Sequence, residues 1–247
     1  LKESDILDAA ALMRSSTYMA VLSGAGVSKE SGIPTFRDAQ TGLWARYDPE
    51  QLASPRGFKN DPALVWQWYD RRRQNLAQVE PNAAHMAIAA LENEFSNFAV
   101  LTQNVDGLHQ RAGSKNVLEL HGNITTFYCF DRLHPAGDVP IGLKQPPVCH
   151  CGSLVRPAVV WFGEALDQNV WRGASRAARD CDIMLVVGTS ALVQPAAALP
   201  LDAQRNGAKI IEINPEKTPL TAKVDLFIQS PAAIALPLLF KHFRQSR

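Results

Sequence analysis

Six short apolar runs, residues 18–23, 98–102, 117–120, 183–187, 209–213 and 224–228, constrain this 247-residue chain more than any other feature. Each has the length of a strand, and most are separated by stretches long enough for a helix. Short apolar runs alternating with helical segments are expected to form a parallel sheet covered on both faces. Residues 4–16 carry helical periodicity (Ile6, Ala9, Ala10, Leu12, Met13) and lead into the first run. Residues 62–79 read as a helix with Leu64, Val65, Trp68 and Leu76 on one side and a basic run on the other. A further helix, after the break at Glu80-Pro81-Asn82, runs to Glu92. These two helices, and the stretch 126–156, which reads as loop-rich (Pro135, Pro140, Pro146, Pro147), interrupt the alternation as an inserted module would.

Composition removes several classes. With 46% hydrophobic residues the chain can bury a sizeable core, and a net charge of +1 argues against a nucleic-acid tail or a membrane-seeking surface. No apolar run reaches the ~20 residues needed to span a bilayer. The first sixteen residues carry acids and no compact apolar core, so they do not read as a secretory signal. Four cysteines, two of them (Cys149, Cys151) too close to pair with each other, point to a reducing, cytoplasmic setting.

The first run opens the stretch VLSGAGVSKESGIPTFRD, residues 21–38. Gly24, Ala25 and Gly26 have little or no side chain, so their backbone N–H groups can approach a phosphate, and Ser28 is a candidate helix N-cap. The pattern is GxGxxK and lacks the third glycine of the dinucleotide fingerprint, so a purely structural turn explains it equally well. Polar clusters follow other runs: Gln103-Asn104-Val105-Asp106, His121, Gly188-Thr189-Ser190 and Asn214-Pro215-Glu216. Open α/β sheets bind ligands at the carboxyl ends of their strands, which is where these clusters would gather.

GAGVS followed by SGIPTFR resembles the signature of the sirtuins, the NAD-dependent protein lysine deacylases. TQNVDGLH, ELHGN, RPAVVWFGE and VVGTSALVQPAA resemble the family's other signatures, in the family's order, so the likeness covers nearly the whole chain. It implies a Rossmann-like parallel sheet with helices on both faces, built from residues 1–38, 82–125 and 158–247. A small inserted helical and zinc-ribbon-like domain would comprise 39–81 and 126–157. NAD is the implied cofactor, and acyl-lysine-bearing proteins or peptides are the implied partners.

By the same resemblance His121, which alone reads as an ordinary structural histidine, is the general base on the ribose hydroxyls of NAD. Asn104 would hold the ribose hydroxyls and a water, Gln103 would line the same ribose pocket, and Asp106 would bond the nicotinamide carboxamide. Their local alternative, for Asn104 and Asp106, is an Asx-turn. Gly24–Gly26, Ile33, Pro34, Phe36 and Arg37 would form the cofactor loop, with Val105 in the same pocket. Gly188, Thr189 and Ser190 would meet phosphates or ribose, and Asn214, Pro215 and Glu216 the adenosine end. The acyl oxygen of the modified lysine would attack the ribose carbon as nicotinamide leaves, giving free lysine and O-acyl-ADP-ribose. Substrate would lie as an added strand between Val160–Glu164 and the 188–195 loop. The Val160 backbone would anchor the acyl-lysine nitrogen, Phe162 and Val193 would wall the tunnel, and Trp161, Gly163 and Glu164 complete that side.

WQWYDRRRQ places Tyr69 and Arg72 at i, i+3, on one helix face. A solvated basic face is the plain explanation. However, Y-x-x-R resembles the mark of the sirtuin subgroup that removes succinyl, malonyl and glutaryl groups, and Ala53 in QLASP matches the small residue widening its pocket. Arg72 would grip a carboxylate and Tyr69 add a hydroxyl. The family's paired-cysteine zinc site is incomplete here. Cys129 is followed by Arg132 where a CxxC partner would stand, and the second pair is Cys149-His150-Cys151. Three thiols with His134 or His150 could make a Cys3His site, or the loop has lost its metal. Cys181 reads as a core residue. Competing readings are a protein ADP-ribosyltransferase, a Rossmann oxidoreductase and a non-catalytic NAD sensor.

Overall fold

A computed structural model describes residues 1–34 and 48–245. Helix α1 (Glu3–Arg14) leads into β1 (Tyr18–Ser23), followed by a 3-10 segment (Ala25–Ser31). Three helices come next: α2 (Pro49–Leu52), α3 (Pro55–Asn60) and α4 (Pro62–Leu76). Helix α5 (Ala83–Glu92) precedes β2 (Asn97–Thr102), the short α6 (Leu108–Arg111) and β3 (Val117–Glu119). Strands β4 (Gly122–Cys129) and β5 (Val155–Val159) pair with each other. The chain ends α7 (Gln168–Asp180), β6 (Ile183–Val187), α8 (Leu199–Arg205), β7 (Lys209–Asn214), β8 (Leu226–Gln229) and α9 (Ala232–Gln245).

Six strands form one parallel sheet in the order β3-β2-β1-β6-β7-β8. Each expected run supplies one of them. Alternation along β1 divides the core: Met19 and Val21 pack with Ile6, Met13, Ile88, Leu91 and Leu239 of α1, α5 and α9. Ala20 and Leu22 pack on the other face with Ala174, Ala177, Leu199 and Ala203 of α7 and α8. Strands buried on both faces must be apolar on both, which explains why they read as runs without alternation. The chain moves outward from β1 through β2 and β3, then returns to build β6, β7 and β8 on the other side. The switch point therefore lies between β1 and β6, where such sheets leave a crevice.

Glycine at that crevice is a packing requirement. A Cβ on Gly26 would sit 2.8 Å from Gly188 Cα, and one on Gly24 would sit 2.8 Å from Thr189 Cα, while Gly188 itself has φ +60. Gly24 N–H donates to Val187 O (3.0 Å) and Gly26 N–H to Gly188 O (2.8 Å). These two donors are thus engaged within the protein, where the sequence suggested groups approaching a phosphate. Ser28 is not a helix N-cap either; it lies inside the 3-10 segment, which starts after Gly24 without a side-chain cap.

Outside the sheet, α2–α4 and β4–β5 assemble around two smaller apolar clusters. One joins Leu52, Phe58, Val65, Trp68, Tyr69 and Trp161; the other joins Trp66, Phe127, Cys129 and Val155. Ser54 and Asp61 cap α3 and α4, accepting from Gly57 N–H and Leu64 N–H, each just before a proline that suits the first helical turn. The basic run on α4 is only partly solvated: Arg71 is exposed, Arg72 is half-buried and Arg73 is not solvated. Arg73 is buried, pairs with Asp70 at 3.0 Å and lies over the Phe127 ring at 4.5 Å. Strand β4 enters the region expected to be loop, because a register shift between Asn123 and Phe127 breaks the alternation that would have marked it.

Candidate active site

A cleft of about 1350 Å³ runs along the carboxyl edge of the sheet and under α4 and the segment after β5. Every expected cofactor and substrate residue within the described chain lines it; Phe36 and Arg37 lie outside the described residues. On the cofactor side, Thr189 ties three strand ends together. Its hydroxyl accepts from Gln103 Nε2 (2.9 Å) and its carbonyl from Asn214 Nδ2 (2.8 Å). The 24–26 turn, Ile33 and Pro34 border the same space, with Val105, Gly188, Ser190, Pro215 and Glu216 around it.

His121 follows β3. Its Nδ1 lies 3.1 Å from the Gln103 carbonyl, which can only accept, so Nδ1 carries the proton and Nε2 keeps its lone pair. Burial lowers the His121 pKa, with the Gln103 bond opposing. A neutral imidazole with one free nitrogen is what a general base requires. Val160 N–H donates to the His121 carbonyl (2.9 Å), joining the β5 side of the cleft to this segment.

Behind the cleft lies a polar network the sequence did not reveal. Ser28 Oγ donates to Asp106 Oδ2 (2.7 Å) and accepts from Asn104 Nδ2 (3.1 Å). His85 Nε2 approaches the same oxygen at 3.4 Å, while its Nδ1 accepts from Asn82 N–H. Asp106 also accepts from Leu108 N–H (3.0 Å), so it forms the Asx-turn as well as facing the cleft. His109 bonds Ser23 Oγ at 2.8 Å. Burial pushes His85 down to about 4 and His109 to about 3, so both are neutral near pH 7. In sequence His85 looks like an ordinary residue in the first turn of α5, and only the fold sets it beside Ser28.

On the substrate side, Tyr69 and Arg72 share a face of α4 and both line the cleft with Ala53. Tyr69 Oη accepts from Trp161 Nε1–H at 2.9 Å, and burial pushes its pKa up to about 12. Arg72 stacks on Trp68 at 4.7 Å and makes no ion pair among the described residues. Glu164 is committed internally: it pairs with Arg156 and accepts from Trp161 N–H (2.8 Å). Phe162 and Val193, about half exposed, present apolar surface at the cleft.

Away from the cleft, Cys129, His134, Cys149 and Cys151 bring their ligand atoms within 4.8 Å of one another. Cys129 N–H donates to His134 O, so the turn after β4 brings His134 back to where the absent CxxC partner would stand. Its Nδ1 bonds the Pro135 carbonyl at 3.1 Å, leaving Nε2 for a metal. His150 stacks on His134, ring centres 4.8 Å apart, and is not part of the cluster. Three thiols and one imidazole at this spacing fit a tetrahedral Zn²⁺. Purified protein is expected to hold about one zinc per chain, and Cys149→Ser to lose it along with thermal stability. Elemental analysis checks this, and metal-free, fully stable wild-type protein would contradict it.

The Sir2 family pattern matches residues 24–195, which holds most of the cleft. The chain belongs to the Sir2 family. Among the relatives of this Sir2 chain is an NAD-dependent protein deacylase of Aquifex aeolicus, 47% identical over 226 residues, covering 91% of this chain and 94% of the relative. A solved Sir2 homologue in complex with NAD superposes with a TM-score of 0.91 at 44% identity, over 100% of this chain and 95% of that one. A Sir2 structure bound to an acetylated peptide gives a TM-score of 0.85 at 33% identity, over 98% of each chain. Among the described residues of this Sir2 chain no helix is long and apolar enough to cross a membrane.

Proposed function

We propose that this Sir2 protein removes succinyl and malonyl groups from protein lysines, and acetyl groups more weakly. The coarser activity follows from the family: it is an NAD-dependent protein deacylase, with NAD as cofactor and acyl-lysine proteins or peptides as substrates. The observation that carries the acidic preference is Arg72, a half-buried guanidinium lining the cleft with no carboxylate at ion-pair distance among the described residues, Asp106 acting on it only from farther away. Burying a cation whose nearest counter-charge is out of ion-pair reach is costly, and a substrate carboxylate in direct contact would offset that cost. Tyr69 beside it offers a hydroxyl, and the small Ala53 leaves room.

NAD supplies the ribose carbon that receives the acyl oxygen, with nicotinamide as the leaving group. In this reading Gln103 and Asn104 orient the ribose hydroxyls, and His121 Nε2 takes a proton from one of them. The apolar surface of Phe162 and Val193 excludes water, so the acyl oxygen competes only with groups the protein places. The reading is tested by kcat/KM for matched succinyl-lysine and acetyl-lysine peptides. Succinyl is expected to exceed acetyl by about tenfold or more, as for one added charge-assisted bond. Equal or reversed values would reject the acidic preference and leave the deacylase intact.

A further inference from the structure

We infer that Trp161 is a positioning residue that fixes the hydrogen-bond polarity of Tyr69, making the wall beside Arg72 a donor-only site. The inference rests on the acidic-acyl reading above and names how that selectivity is set. An indole has one N–H and no acceptor, so the 2.9 Å bond from Trp161 Nε1 to Tyr69 Oη has only one sense. Tyr69 must accept there. Its single proton is then left to donate elsewhere, and among the described residues nothing takes it. Both Tyr69 and Arg72 line the cleft, one helical turn apart on α4. A phenol with its acceptor side filled and a guanidinium with no acceptor at all present N–H and O–H groups only. An acyl terminus that accepts hydrogen bonds is matched; one that must donate is left unsatisfied.

Trp161 is itself held from the far side. The Arg156 guanidinium lies 3.3 Å from its ring centre, and Arg156 is in turn locked by Glu164 and by the Val159 carbonyl. Glu164 also accepts the Trp161 backbone N–H. Both the ring and the main chain of Trp161 are therefore fixed, which a single directing bond requires. Burial that keeps Tyr69 protonated supports the same assignment.

The test is a double-mutant cycle read as the succinyl-to-acetyl ratio of kcat/KM. Trp161→Phe keeps an aromatic ring for Arg156 and removes the N–H together with the rest of the pyrrole ring, so the Tyr69→Phe background serves as the control for lost packing; the ratio is expected to fall about fivefold to tenfold. In a Tyr69→Phe background the same change is expected to leave the ratio where Tyr69→Phe put it, which a merely structural role would not produce. An unchanged ratio in Trp161→Phe, or equal losses in both backgrounds, overturns the inference. Should Trp161→Phe not fold, wild-type enzyme decides. Lysine acylated with a terminal methyl ketone, an acceptor only, is expected to outrun its terminal carboxamide isostere, which must also donate. The reverse order overturns the inference. Failure of the underlying reading looks different: wild type then shows no succinyl preference, and Arg72→Met does not alter the ratio.

Discussion

Replacing His121 by alanine is expected to lower kcat for deacylation by ~10²–10⁴-fold while NAD affinity changes little. The imidazole is fixed through Nδ1 to the Gln103 carbonyl, and its Nε2 has no partner among the described residues. Alanine removes that base and leaves intact the Thr189-centred bonds on the cofactor side. Turnover should also follow the titration of this group. Burial lowers the His121 pKa from the ordinary 6.5, so the neutral base persists to lower pH than an exposed histidine would allow. The acid limb of kcat/KM against pH, which reports the free enzyme, is therefore expected below 6.5, with activity lost as pH falls through the depressed pKa. A midpoint above 6.5, or an alanine variant with near-normal kcat, would remove His121 from the role of base.

Arg72→Met is expected to cut the succinyl-to-acetyl ratio of kcat/KM by roughly ten- to a hundredfold, the scale of a lost hydrogen-bonded charge pair. Methionine preserves much of the stem that packs on Trp68 and removes the cation. The loss should appear mainly as a raised KM for succinyl-lysine, because the carboxylate is bound in ground state and transition state alike. A variant whose ratio equals that of wild type would return Tyr69 and Arg72 to the scaffold of α4. Arg73 offers the contrast. One residue away, it is already paired with Asp70 and stacked on Phe127, so it has no charge to spare for substrate.

The sheet was legible because doubly covered strands are apolar throughout, and each of the six runs became one strand of it. Strand β4 was not, since its inward residues are interrupted by the register shift before Phe127. The line of residues along the cleft was legible because motif residues fall at strand ends, which a parallel sheet brings to one edge. Their bonding was not. Sequence cannot say that Gly24 and Gly26 spend their N–H groups on the β6 loop, or that Ser28 sits between Asp106, Asn104 and His85. Those contacts join residues more than fifty positions apart. The choice between His134 and His150 likewise depended on how the turn after Cys129 closes, which residue type alone does not determine.

The most direct test of the central claim is the mass of every product formed from NAD and a succinyl-lysine peptide. Free lysine on the peptide, one nicotinamide per lysine released, and the succinyl group carried on ADP-ribose are the expected products. A peptide that keeps its succinyl group and gains ADP-ribose would contradict it in favour of an ADP-ribosyltransferase. Bound NAD with no reaction on any acyl peptide would contradict it in favour of a sensor.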